Sequence, residues 1–313
     1  DNGIDHEERR SDEYHGNNGN NAGYAVAVAA AAHHTLVATS HGYLYVFGLG
    51  KGGRLGTGDE QHRPFPVRIL GALSRRIVTS IAAAENHSLC TTNDGNVYGW
   101  GSNRFGQLGV VGGGKCGNNN MAVPTKIDDL RREQIIKVAA GDRHSVALSK
   151  DGEVFCWGDN RAGQLGRSLS RSSSSHHGTS LSSSSNATAS TPLTNHHNGV
   201  SRVDALWSCN PRRVAMDIAA AEKSTLVLTH PPVSQQLNTS RSLRWTSVNA
   251  VYTWGHGNCT PIKINFPAHS PPSSPRQQAK SSTNTNQNKI RPNACSIVNP
   301  TGIACAKYHN VAI

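Results

Sequence analysis

The sequence predicts an all-β fold, a β-propeller of four-stranded repeats of about 50–57 residues, incomplete in this chain. Three observations carry this. Residues 138–166, VAAGDRHSVALSKDGEVFCWGDNRAGQLG, recur in near-copy as residues 82–109, AAAENHSLCTTNDGNVYGWGSNRFGQLG. The copies keep their spacing: His87 to His144 and Trp100 to Trp157 are each 57 residues, and His34 to His87 and Phe47 to Trp100 are each 53. Within a copy, two short apolar runs are joined through Asp-Gly, a hairpin signal, and no long helical period appears.

Taken in order, residues 1–23 are polar, Asn/Gly-rich and expected to be disordered. Residues 24–313 form the partial propeller, in units near 24–80, 81–137, 138–217 and 218–302, with the next beginning at Ile303. The run at 24–32, YAVAVAAAA, is apolar enough for a buried strand that opens the first unit, and 42–47 is the second strand of its hairpin. Residues 49–59 are an exit loop, and the run behind Pro64 and Pro66 is a further strand. That proline-strand arrangement returns at 123–127, 210–214 and 260–264, which brings each unit to about four strands, one propeller blade. Low-complexity insertions at 167–199, 231–249 and 267–294 have no apolar period to offset their ordering entropy, and are expected on loops of one rim. The chain begins without methionine and ends inside a repeat, so a fragment of a longer protein is expected.

The repeated residues suit structural tasks. Gly95 and Gly152 follow Asp in a two-residue turn that needs positive φ. Gly106, Gly109, Gly163 and Gly166 suit tight turning and close backbone approach, and Leu108 and Leu165 are natural plugs between units. Trp100, Trp157 and Trp254 bring large apolar area with an N–H that needs a partner. His34 opens the first copy, and His87-Ser88 and His144-Ser145 start strands, where they can bond backbone groups of a neighbouring turn. A catalytic reading of His87-Ser88 and His144-Ser145 meets an obstacle. Adjacent residues of a strand point to opposite faces, and a nucleophile and its base must converge once per site.

Composition narrows the function classes. The chain has 31 Lys and Arg against 20 Asp and Glu, net +11, but the cations are scattered and no run of five forms a nucleic-acid tail. Seven cysteines, none in a Cys-x-x-Cys pair, read as free thiols in a reducing compartment, cytoplasmic and also nuclear. No signal peptide or membrane-length apolar run is present. The paired histidines at 33–34, 176–177 and 196–197 lack metal-ligand spacing, and GLGKGG at 48–53 lacks the order of a phosphate loop, so no cofactor or metal is expected. Ser168, Ser170, Ser270 and Ser274 are candidate phosphorylation sites in the insertions, and the Asn186 and Asn238 acceptor triplets are inert in a cytosolic protein.

The units AAGDRHSVALSKDGEVFCWGDNRAGQLG and AAAENHSLCTTNDGNVYGWGSNRFGQLG resemble the regulator of chromosome condensation family of seven-bladed propellers. GLGKGGRLGTGDEQHRPFPVRIL and AVYTWGHGNCTPIKI look like the propeller of proteins similar to inhibitor of Bruton's tyrosine kinase, in which ankyrin repeats precede and BTB domains follow. The fourth unit departs from the pattern: Lys223-Ser224-Thr225 replaces His-Ser, and the Asp-Gly turn and Gly-Gln-Leu-Gly are missing. The resemblance implies a non-enzymatic scaffold that binds other proteins, a kinase or ubiquitin-ligase components in the nearer group. Two other roles compete with it: guanine-nucleotide exchange on a small GTPase, and chromatin binding, which the scattered cations disfavour.

Overall fold

The computed structural model describes residues 23–110, 120–167, 196–207, 213–230, 249–265, 303–305 and 310–312. Four antiparallel sheets follow one another, each a four-strand meander. Blade one is β1 (Ala25–Ala30), β2 (His34–Thr39), β3 (Leu44–Gly48) and β4 (Arg63–Arg68). Blade two is β5 (Val78–Ala83), β6 (His87–Thr92), β7 (Val97–Gly101) and β8 (Met121–Lys126). Blade three is β9 (Ile135–Ala140), β10 (His144–Ser149), β11 (Val154–Asp159) and β12 (His196–Arg202). Blade four is β13 (Ala215–Ala220), β14 (Ser224–Thr229), β15 (Ala250–Gly255) and β16 (Asn258–Ile264). The pair β17 (Ile303–Cys305) and β18 (Asn310–Ala312) comes next. First strands of successive blades lie side by side, and β17 lies against β13, so first strands line the inner edge of an incomplete propeller.

The core sits between blades. Leu36, Val46 and Leu55 of blade one pack with Cys90, Tyr98 and Trp100 of blade two. Leu89, Val97 and Leu130 pack with Ala147, Phe155 and Trp157 across the next seam, and Val146, Val154 and Leu165 with Val227, Tyr252 and Trp254 across the third. Strand alternation sends one set of side chains back and the other forward, and both sets are covered. This is why β6, β10 and β14 are buried along their whole length.

Four expectations need correction. The run at 24–32 does form β1, but Val26 and Val28 are 55% and 63% exposed, because Ala27 and Ala29 take the face toward blade two and no described sheet covers the other. The Asp-Gly hairpins are three-residue connections, not two. Gly95 N–H donates to Thr92 O at 2.8 Å and Thr92 N–H to Asn96 O at 3.0 Å, and Gly152 repeats this with Ser149 and Glu153. Only the glycines, at φ 75° and 76°, are left-handed, so aspartate takes an ordinary turn position and glycine the bulge.

The fourth strand of blade three is β12, not the Pro211 segment, and it begins inside the stretch assigned to low complexity. Val203 follows it, donates its N–H to Val154 O at 2.8 Å, and leads into α1 (Asp204–Trp207). Ile69 and Ile127 make the same bond to Leu44 O and Val97 O before one-turn helices Gly71–Leu73 and Asp128–Leu130. Leu73, Leu130 and Leu206 are the buried leucines of these links. Finally, the insertions do not share a rim. One interrupts the β11–β12 connection and another the β14–β15 connection, and these leave opposite ends of the blades. Most of residues 1–23 and of the insertions, with Ser168, Ser170, Ser270 and Ser274, lies outside the described residues.

Leu130→Ala or Leu206→Ala should lower unfolding free energy by about 2–5 kcal/mol. Phe65→Ser, on the exposed face of β4, should stay within about 0.5 kcal/mol, both read from urea titrations.

Candidate functional site

Each seam is closed by the same four groups. Ser88 Oγ–H donates to the backbone carbonyl of Arg54 at 2.9 Å, and Trp100 Nε1–H donates to the same oxygen at 3.0 Å. His34 Nε2 stands 2.7 Å from Ser88 Oγ. The hydroxyl proton is already committed to the carbonyl, so the imidazole donates from Nε2. At the second seam His87 donates to Ser145 at 3.0 Å, and Ser145 and Trp157 donate to Gln107 O at 2.7 and 2.8 Å. At the third His144 donates to Thr225 at 3.0 Å, and Thr225 and Trp254 both donate to Gln164 O at 2.9 Å.

Opposite faces of one strand explain the division of labour: His87 reaches forward to blade three while Ser88 reaches back to blade one. Of each His-Ser pair it is the serine that bonds the backbone of a neighbouring turn, as the sequence suggests, while the histidine meets a hydroxyl. The accepting carbonyl belongs to the exit loop after each third strand. In that loop Leu108 N–H donates to Asn103 Oδ1 and Leu165 N–H to Asn160 Oδ1, both at 3.0 Å. Gln107 and Gln164 fold back to accept from the Phe105 and Ala162 N–H groups. Gly106 and Gly163 close the turns on Asn103 O and Asn160 O. Gly109 and Gly166 lie flat on the next tryptophan: a Cβ on either would meet Trp157 or Trp254 at 3.0 Å, at φ 63° and 69°. Leu108 and Leu165 are fully buried plugs.

The first loop carries Arg54 where the others carry glutamine. Its guanidinium, 5% exposed, spans to blade two through Glu85 O at 2.8 Å and Asn86 Oδ1 at 3.1 Å. The fourth blade receives the latch but does not extend it. Thr225 stands for serine, while Ser224 occupies the histidine position with its hydroxyl buried and unpaired. His256-Gly257 turns directly into β16 where the other blades have an exit loop. The asparagines, the loop carbonyls and Thr225 are the residues sequence reasoning missed. Their signal was the fixed spacing of Asn-Arg-x-Gly-Gln-Leu-Gly.

Burial governs the electrostatics. Desolvation lowers His34 to about 4, helped by Arg54 and His33, and His87 to about 3, helped by His144 and His34. His144 falls to about 4, desolvation outweighing the opposing pull of Asp159. These neutral imidazoles hold their proton on Nε2, the tautomer that cannot take one from the hydroxyl. The His–Ser pairs that do converge, across seams, are thus sealed from solvent and wrongly protonated for general-base chemistry. Cys90 and Cys156 are buried, and burial pushes the Cys156 thiol up to about 12. Among the described residues no three His, Cys, Asp or Glu side chains converge on a metal position. Gly48 ends β3, and Gly50, Gly52 and Gly53 belong to the first exit loop and its one-turn helix Lys51–Gly53.

Depressed histidines set the sign of the pH response. The unfolded chain takes up protons near 6.5 that the folded chain refuses down to about 4 or 3. Their contribution is complete above pH 6.5 and lost as pH falls through that window, by up to about 1.4 kcal/mol per pH unit per group. The urea midpoint should drop between pH 7.5 and pH 5, and His144→Asn should flatten the drop while lowering the midpoint at pH 7.5. Ser145→Ala should cost about 1–3 kcal/mol by orphaning the His87 N–H and leaving Gln107 O with the Trp157 donor alone, whereas Ser224→Ala should be neutral or stabilising, because its hydroxyl has no partner to lose.

Comparison with known proteins agrees with this geometry. The family model described as the regulator of chromosome condensation (RCC1) repeat matches residues 41–91, 94–148 and 151–186, and a second model of that description matches 78–107 and 135–164. The ultraviolet-B receptor UVR8 of Arabidopsis thaliana is 36% identical over 140 residues, covering 44% of this chain and 30% of that protein. The E3 ubiquitin-protein ligase HERC2 of Homo sapiens is 38% identical over 143 residues, 45% of this chain and 3% of that protein. The chain thus spans less than a third of the length of either relative. Among solved structures, human WBSCR16 matches with a TM-score of 0.62 at 19% identity, over 93% of this chain and 57% of that one. Prp20p from Saccharomyces cerevisiae matches with a TM-score of 0.53 at 19% identity, over 78% of this chain and 51% of that one. Repeat sequence, blade topology and the shared latch lead to one conclusion: residues 41–186 of this chain carry regulator of chromosome condensation (RCC1) repeats.

Proposed function

We propose that this chain is a non-enzymatic protein-interaction scaffold, the propeller part of a larger signalling or ubiquitin-ligase substrate-adaptor protein. The observation that carries this is the use the latch makes of the exit loops. It holds them through backbone atoms and buried amides, so the side chains at their tips are free to vary. Lys51, Arg104 and Arg161 occupy one equivalent position in three successive loops, and all are exposed. Rigid blades that present variable loop tips along one face make a recognition surface. The ligase and receptor names of the relatives support this reading. Binding to Gsp1p and histones is a property of Prp20p itself, and it shows that a propeller of this kind can take protein partners.

A photo-reactive amino acid placed at Lys51 should cross-link partner proteins in cells, and one at Asp151, at the opposite end of the blades, should not. Cross-linking from Asp151 alone, or stimulated release of labelled nucleotide from a small GTPase by the purified chain, would overturn the proposal. Flanking open reading frame with ankyrin repeats upstream and BTB domains downstream would favour the ligase-adaptor form.

A further inference from the structure

Position 105 departs from the repeat in a way the fold does not need. Blade one has Gly52 there, blade three has Ala162, and both loops close with the same bonds. Blade two has Phe105, half-buried, with its backbone N–H fixed 2.8 Å from Gln107 Oε1. Three guanidiniums from three segments surround its ring. Arg143, before β10, lies 4.6 Å from the centroid, Arg161 of the next exit loop 5.1 Å, and Arg104 5.7 Å. The group straddles the seam between blades two and three on the exit-loop face.

Charge is layered within it. Asp159, which forks onto Arg161 at 2.7–3.0 Å, is only 3% exposed, while the Arg161 side chain is 48% exposed. Asp142, which pairs with Arg143 at 3.1 Å, is likewise the more buried partner. Among the described residues no carboxylate pairs with Arg104. The carboxylates thus lie beneath and the cations outward. Three guanidiniums held close together repel one another, and a flat aromatic ring compensates only partly. Planar guanidinium forks match carboxylates two bonds at a time.

We propose that Phe105, Arg104, Arg143 and Arg161 form a docking site for a short acidic segment of a partner protein, its carboxylates on the arginines and its backbone or an apolar side chain on the ring. This rests on the scaffold reading and names one surface and one ligand chemistry for it. A nucleic acid fits less well. Glu85, Asp142 and Glu222 recur at one position just inside this group, before β6, β10 and β14, and would repel a polyanion crossing the face.

The test uses the full chain and a fluorescein-labelled peptide of repeated Asp-Glu-Leu, read by anisotropy at low salt. Its Asn-Gln-Leu counterpart and a single-stranded DNA of equal charge serve as comparison probes. The acidic peptide should bind, the amide peptide should not, and Phe105→Ala or Arg104→Gln should weaken binding about tenfold or more with unchanged melting. Phe105→Ala reproduces the residue blade three already tolerates, and Arg104→Gln changes only an exposed tip, so folding and binding can be separated. No peptide binding, binding indifferent to both substitutions, or tighter binding of the DNA would overturn the assignment. Cross-links to partners from position 51 that persist in any of those cases would leave the scaffold standing without this site.

Discussion

A single backbone oxygen at each seam, Arg54 O, Gln107 O or Gln164 O, accepts both the tryptophan N–H and the hydroxyl of the following blade. Much else in the repeat serves that arrangement. The exit loop must curl so that its carbonyl points across the seam; in blades two and three an asparagine accepts from the leucine N–H and a glutamine folds back on the turn, while the first loop, with Gly50 and Arg54 at those positions, is held by its backbone turns and the Arg54 guanidinium. The tryptophan must reach under the loop, and only a glycine lets the backbone lie on its ring. The hydroxyl needs its second lone-pair partner, and the preceding histidine supplies a donor. Buried polar groups are costly unless paired, so each member of this network makes the others necessary.

Repetition makes the chain its own comparison set. A feature present in every blade belongs to packing, and a feature present in one is open to another explanation. The latch falls in the first class. Phe105 falls in the second, since glycine and alanine serve equally well in the neighbouring loops. The fourth blade is informative in the opposite direction. It keeps Trp254 and a hydroxyl at Thr225, the half of the latch that faces blade three. It lacks the histidine and the exit loop, the half that faces onward. Selection on the two faces of one sheet can thus be separated residue by residue.

The same network seals the His–Ser pairs and leaves them unsuited to act as base and nucleophile. Burial that seals a blade seam also strips water from the imidazole, lowers its proton affinity, and fixes the tautomer that donates. The side chains of Lys51, Arg104 and Arg161, exposed at the loop tips, take no part in this latch.

Much of the architecture was legible without coordinates. A 57-residue spacing shared by histidine and tryptophan, Asp-Gly between two apolar runs, and proline confined to a fourth, outer strand at Pro64, Pro124 and Pro261 follow from local rules of turn geometry and strand alternation. These define blades, their order and most of their strands. Register and pairing partners depend on residues far apart in the chain, and there the sequence misled. It read Asp-Gly as a two-residue turn, placed the fourth strand of blade three behind Pro211, and treated the residues from His196 as low complexity. Which hydroxyl meets which imidazole, and which arginines gather on Phe105, were decided only when separate blades met. Alternation tells a residue which face of its own sheet it occupies; only packing of one sheet against the next says what it will touch there.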